Sequence, residues 1–448
     1  MASYVEKIAR LQAEIAAAPA GAASRVGLAK STSNLFRDRA ARTAPRIDLK
    51  HFNRVVAFDA AAQTVDTEGM ATYAELATAT LVHRAMPCVV PQLRSITVGG
   101  AMAGVGIEAT SFRHGLVHDT AVALEVLTGD GRVVICTRDN EHRDLFFGFP
   151  NSYGTLGYAL KLTMRTQPVR KFVRVEHNRF SVAGDCFAAI ARLAAQQDVD
   201  FLDGVVFAPG ELVVSVGRFV DEAPFVSDYS FERIYYRSLR ERSTDFLTAD
   251  GYLWRWDTDW FWCSKNVGAQ HPLLRRLYGR KRLNSVTYQR IMRWNSRWGL
   301  TRALNRIQGV HAESVIQDVD IPIDRAAEFL AFLHAEVGIL PIWLCPIRAP
   351  AADAAFTLYP LAPGTTYVNF GFWDVVTTRE RRPAGFCNRL IEGKVRELGG
   401  IKSLYSDSYF AEDEFWAIYN RPAYAALKER YDPAGALGDL YAKTVLRA

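Results

Sequence analysis

The stretch PCVVPQLRSITVGGAMAGVGIEATSFRHG, residues 87–115, constrains this chain more than any other. It carries Gly99, Gly100, Gly104, Gly106 and Gly115. Glycine tolerates positive φ and lets backbone N–H groups come close to an anion such as a pyrophosphate. Taken alone, these glycines are better described as a tight crossover loop without a ligand. Their spacing is neither a G-x-G-x-x-G opening a helix after a strand nor a Walker loop. Two other segments share the character. KSTSNLFR, residues 30–37, offers Ser31, Thr32, Ser33 and Asn34, and Gly154-Thr155-Leu156-Gly157 precedes an apolar strand pattern. Each alone is an ordinary turn.

The order of elements around these segments is more telling. An amphipathic helix fills the N-terminus up to Pro19, and RVGLAK, residues 25–30, has the pattern of a strand. Residues 53–69 read as two short strands, and Thr72 with Glu75 forms a capping box opening a helix. VALEVL and RVVICT flank Thr128-Gly129-Asp130-Gly131 as a hairpin. Beyond Pro168 the pattern mixes helices (182–196, 323–336, 378–397, 411–430) with a hairpin (203–218) and strands (313–320, LPIWLCPI, TTYVNFGFW). This predicts an α+β second domain on an antiparallel sheet.

Composition narrows the class. At 448 residues and 49% hydrophobic, the chain can bury two cores. Its 54 basic and 48 acidic residues leave a mild +6, which does not by itself imply nucleic acid. The six cysteines form no C-x-x-C pair, and no histidine sits at ligand spacing, so reduced buried thiols and no metal site are expected. No run reaches the roughly 18 apolar residues of a membrane span. Glu6 and Glu14 break the pattern of a signal peptide. The expectation is a cytoplasmic protein, peripheral at most to the inner face of a membrane.

Together and in this order, the polar turn, strand pair, capped helix, T-V-G-G-A glycine segment, G-D-G hairpin and G-T-L-G turn resemble the PCMH-type (vanillyl-alcohol-oxidase) FAD-binding domain. SITVGGAMAGVGIEATSFRHGL, DLFFGFPNSYGTLGY, PIWLCP and LYSDSYFAEDEFWAIYN are similar to the delta(24)-sterol reductase branch of that family. The resemblance implies a PCMH-type FAD-binding domain over 22–170, an antiparallel-sheet substrate (cap) domain over 171–404, and a C-terminal segment, 405–448, packing back on the first. It implies FAD held by Ser31, Thr32, Ser33, Asn34, Gly99, Gly100, Gly104, Gly106, Ile107, Glu108, Thr155 and Gly157. The first loop offers no His or Cys for a covalent tether, so the FAD is expected to be non-covalent. NADPH is the implied donor.

The implied reaction moves a hydride between flavin N5 and a carbon–carbon bond of a lipid. Reduction then needs an acid facing the flavin. Tyr405, Tyr409 and Asn369 are the candidates, with Asp407 behind them, and Trp343, Cys345 and Tyr367 are expected to line the pocket. The substrate pointed to first is a fatty-acyl or methylene-acyl phospholipid chain rather than a sterol. The reverse reaction, desaturation, an alcohol oxidase, and a flavin-free lipid-binding module remain open.

One region stands outside this scheme. From Arg275 to Arg306 there are ten Lys or Arg and no Asp or Glu. Tyr278, Tyr288, Trp294 and Trp298 are interleaved, and Trp254, Trp256, Trp260 and Trp262 lie just upstream. The pattern over 254–306 suits a membrane interface. A solvated basic helix is the alternative, and nucleic acid is not expected.

Overall fold

The computed structural model describes residues 3–16, 27–29, 36, 46–298, 309–349, 351 and 355–447. Ser31, Thr32, Ser33 and Asn34 lie outside the described residues, as do Arg25, Val26 and Lys30 of the expected strand at 25–30. The helix Tyr4–Ala16 packs Leu11 with Phe52, and Lys7 Nζ reaches both oxygens of the buried Glu68 at 2.6 and 2.7 Å. Strands β1 (Gly27–Leu28) and β2 (Arg46–Ile47) pair in parallel.

The first main sheet is built from β3 (Val55–Asp59), β4 (Thr64–Glu68), β5 (Ala85–Pro87), β6 (Ala121–Leu127), β7 (Val133–Thr137) and β8 (Tyr158–Pro168). Its order is β3-β4-β8-β6-β7, with β5 also paired to β8, and every pairing is antiparallel. β8 lies at its centre because YALKLTMRT alternates, burying Leu160, Leu162 and Met164. Thr72 caps the helix Tyr73–Leu81 through the full capping box, an arrangement worth about 1 kcal/mol.

The glycine segment differs from expectation. It is not a loop but two short helices, Val98–Ala103 and Ser111–His114. Glycine costs a helix about 1 kcal/mol per residue. Here Thr97 caps Gly100 N–H, and Val98, Ala101 and Met102 are buried, which overrides that cost.

The second sheet comprises β9 (Phe172–Phe180), β10 (Phe201–Ala208), β11 (Glu211–Val220), β12 (Thr244–Thr248), β13 (His311–Pro322), β14 (Ile342–Arg348), β15 (Thr366–Thr378) and β16 (Ile401–Lys402). It runs β12-β9-β11-β10-β14-β15-β13-β16, antiparallel throughout. The fold is α+β, with helices Ala183–Ala194, Ala326–Phe332 and Phe386–Glu397 covering one sheet face. The expected helix at 378–397 starts only at Phe386, since β15 runs on to Thr378. The one at 411–430 is two helices, broken at Asn420, whose φ of 54° ends the first and whose side chain caps the second.

The four tryptophans grouped with a membrane interface are not at the surface. Trp254, Trp256, Trp260 and Trp262 are buried. Phe261 stacks on Trp256 and Trp373 at 4.7 and 4.2 Å, so the segment is core between the two sheets. Tyr288 is buried as well, while Trp294 is exposed.

Candidate active site

The period of two along the second sheet separates its faces. Leu202, Leu344, Val368, Phe370 and Val319 enter the helix-covered core. Val205, Trp343, Cys345, Tyr367 and Trp373 turn the other way, into the core shared with the first sheet. The same alternation carries Asp203, Asn369, Asp318 and Asp320 to that second face. The register sets two rows across it. Asp320 lies opposite Asn369, and Asn369 opposite Cys345; Asp318 lies opposite Gly371, and Gly371 opposite Trp343.

Two carboxyls two residues apart on one strand face cannot both ionise cheaply when buried. Asp320 is satisfied: Asn369 Nδ2 and the Tyr359 hydroxyl each donate to it at 2.8 Å. Burial still pushes it up to about 6, against those two hydrogen bonds. Asp318 is pushed higher, to about 8, by burial first and the Asp320 charge second, with the neighbouring Tyr405 hydroxyl opposing. Its Oδ1 has no partner among the described residues. Asp318 as a whole is nonetheless partly accessible, as is Tyr405. A carboxyl whose burial favours its protonated form, with one oxygen unpartnered among the described residues, thus stands on this face. Gly371 makes room for it, since a Cβ there would meet Asp318 Oδ1 and Trp373 Cη2 at 2.6 Å each.

Tyr405 is held by Trp373 Nε1, which donates to its hydroxyl at 2.8 Å. Burial first, then the Asp318 carboxyl, holds that phenol well above its ordinary range. The chain leaving the first polar segment passes here too. Phe36 N donates to Tyr405 O at 3.0 Å, Asp407 N donates to Phe36 O at 3.2 Å, and the Phe36 ring stacks on Trp260 at 5.3 Å. On the other side, Tyr153 donates from its hydroxyl to Gly104 O at 3.1 Å and lies 3.2 Å from Ser403 Oγ. The glycine segment, the G-T-L-G approach and the C-terminal segment therefore converge on one place.

A second buried polar group sits beside it. Arg255 Nη2 donates to Glu108 Oε1 and Asp203 Oδ2, both at 2.8 Å, and Trp343 Nε1 donates to Asp203 Oδ2 at 3.2 Å. Burial pushes Glu108 up to about 7, with Arg255 opposing and Asp203 adding to it. Cys345 Sγ donates to Glu108 O at 3.2 Å, and burial followed by the Glu108 charge holds that thiol well above its ordinary value, so it is no nucleophile.

The sequence-predicted residues divide accordingly. Asn369, Tyr405, Trp343, Cys345 and Glu108 share this face or its rim. Tyr409 does not join them: its ring lies over Gly385 and Arg389, and its hydroxyl accepts from Arg447 at 3.0 Å. Tyr367 points its hydroxyl at Ala362 N, 3.0 Å away. Ile107 packs at the edge of the shared core. Gly99 is partly covered and Gly100 exposed on the first turn of their helix. Gly106 and Gly157 serve close packing, since a Cβ would meet Val117 at 2.7 Å or Val126 at 2.5 Å, and Thr155 ties its own turn through Ser152 O at 2.8 Å. Asp318, Asp320, Arg255 and Tyr359 went unread in the sequence. The alternation of SVIQDVDIP was the signal for the first two: it puts both carboxyls on one face of a strand.

Whether these residues suit FAD can be judged from their unmet polar atoms. Gln92, Ser95, Thr110, Asn151, Ser152, Ser406 and Ser408 each bury a side-chain N or O without a hydrogen-bond partner among the described residues. Buried polar groups are normally paired. These lie in or beside the segments singled out for FAD and in the C-terminal segment, and a polar dinucleotide would satisfy them. The residues fit the cofactor. Among the described residues no group of His, Cys, Asp and Glu could hold a metal ion.

Comparison with known proteins agrees with this geometry. The FAD binding domain family matches residues 4–137. The Delta(24)-sterol reductase of Homo sapiens is 25% identical over 404 residues, covering 87% of this chain and 75% of its own length. The protein of that name from Arabidopsis thaliana is 26% identical, covering 89% of this chain and 76% of its own. Residues 4–137 thus match a PCMH-type FAD binding domain, and most of the chain is similar to the Delta(24)-sterol reductases at about 25% identity. The chain is an FAD-dependent oxidoreductase acting on carbon–carbon bonds. Cytokinin dehydrogenase 6 of Oryza sativa is also similar, 30% identical, but over only 39% of this chain.

Proposed function

We propose that this protein reduces a carbon–carbon double bond of a sterol-type lipid, with NADPH as the electron donor. The substrate reading is supported by relatives named Delta(24)-sterol reductase, whose similarity extends through both sheets. A fatty-acyl or methylene-acyl phospholipid chain has no such support. FAD, when bound, supplies hydride exchange at N5.

The chain's own contribution is the second hydrogen. Asp318 holds a proton at neutral pH because burial and Asp320 disfavour its charge. A general acid works best with a pKa near the operating pH. The Tyr405 hydroxyl beside it can pass the proton on or polarise it. The surrounding wall of Trp343, Phe261 and Trp373 is apolar and suits a hydrocarbon. The buried Asp318 carboxyl, its Oδ1 unpartnered among the described residues and beside Tyr405, is the observation that carries the reading.

The experiment is turnover with NADPH of a Δ24-unsaturated sterol and, separately, of an unsaturated acyl phospholipid, with products weighed by mass spectrometry. A sterol two mass units heavier supports the proposal. A saturated acyl chain with the sterol untouched overturns its substrate. Formation of new double bonds overturns its direction. The bound FAD is proposed to be non-covalent, so denaturation should release all the fluorescence from the protein.

A further inference from the structure

The basic region at 272–294 changes meaning once the core tryptophans are removed from it. The helix Pro272–Tyr278 turns Arg275 inward, where it forms a two-pronged pair with Asp259 at 2.6 and 2.9 Å. That orientation leaves leucines outside: Leu273 is 67% exposed and Leu277 77%, with Leu274 beside them. The next long helix, Ser285–Trp298, buries Ser285 and Tyr288, and Tyr278 packs edge-on against Tyr288 at 6.4 Å. Its outer side presents Arg290, Arg293 and Trp294, spaced i, i+3 and i+4, and Trp294 is 56% exposed.

Three exposed leucines and a tryptophan amid cations are unusual on a solvated surface. Charge decides what fits them. Arg276 and Arg280 are paired to Glu232 and Asp228. Lys281, Arg282, Arg290 and Arg293 have no ion pair among the described residues, and no acidic residue occurs from Pro272 to Trp294. Apolar side chains that can enter the headgroup region, ringed by free cations, match a bilayer carrying anionic lipid. A second copy of the chain would bring the same positive charge to the contact, which opposes self-association.

We propose that Leu273, Leu277 and Trp294, with Lys281, Arg282, Arg290 and Arg293, form a peripheral docking surface for an anionic membrane. The proposal stands on this surface alone and not on the direction or substrate of the reaction. Each surface cation contributes about fivefold to partitioning onto an anionic bilayer.

The test is co-sedimentation of the full-length, FAD-loaded protein with vesicles of phosphatidylcholine alone and of phosphatidylcholine mixed with phosphatidylglycerol. Binding is expected only with phosphatidylglycerol and is expected to weaken with salt. R290E/R293E should lower it at least tenfold, and L273Q/L277Q should lower it at any salt. Both variants should keep their flavin absorbance and their reduction by NADPH. Equal binding to both vesicle types, or binding unchanged in both variants, overturns the proposal. So does a loss of self-association in the variants without lipid, or tighter binding to single-stranded DNA than to the anionic vesicles.

Discussion

Replacing Asp318 by Asn separates its chemical role from its structural cost. In the folded chain this carboxyl keeps its proton up to about pH 8, whereas unfolded it ionises near 3.8. Because its folded value is raised, the unfolded state gains from ionisation first, and stability falls as pH rises from about 4 towards 8. At 1.36 kcal/mol per unit, the cost at pH 7 reaches about 4 kcal/mol; partial access to solvent reduces it to about 2–3. D318N keeps the shape and removes the titration. It should therefore unfold at higher denaturant concentration than the parent at pH 8, with little difference at pH 4. The remaining slope should persist through Asp320, held at about 6, and Glu108, at about 7. Chemical denaturation followed by fluorescence at both pH values is the assay. Anaerobic half-reactions supply the second readout: flavin reduction by NADPH should be unchanged, and alkene reduction slowed about 10²–10⁴-fold. A variant destabilised equally at both pH values, or one reducing the alkene at the parent rate, would refute the reasoning.

Three further outcomes are expected. Gly371→Ala should push the Asp318 carboxyl or the Trp373 indole aside, so alkene reduction should fall while FAD content, measured by absorbance ratio, is retained. Arg255→Met strands Glu108 and Asp203 without their cation; losing one partner of a buried ion cluster costs about 3–5 kcal/mol, readable as an earlier denaturation midpoint. All six thiols are buried, so a thiol reagent should label none of them until denaturant is added, counted by intact mass.

Much of this was legible in the sequence because it is local. The capping box at Thr72, the hairpin around Thr128–Gly131 and the alternation of β8 and β13 depend on neighbours a few residues away. The active-site wall depends on pairing between distant strands. Arg255 meets Glu108 and Asp203 across 147 and 52 residues, and no spacing rule announces such a cluster. The glycine segment misled in the opposite sense. Propensity favours a loop, but one cap and three buried apolar side chains make it helical. Trp254 to Trp262 look interfacial by composition alone. They are core because β14 and β15 present Trp343 and Trp373 to them, a contact fixed only once both sheets face each other.

The central claim is tested most directly by anaerobic stopped-flow absorbance of the yellow protein, mixed first with NADPH and then with a Δ24-unsaturated sterol. The account predicts bleaching of the flavin by NADPH and its recolouring by the sterol. Bleaching by a saturated lipid, with no response to NADPH, would contradict it and make the protein a dehydrogenase.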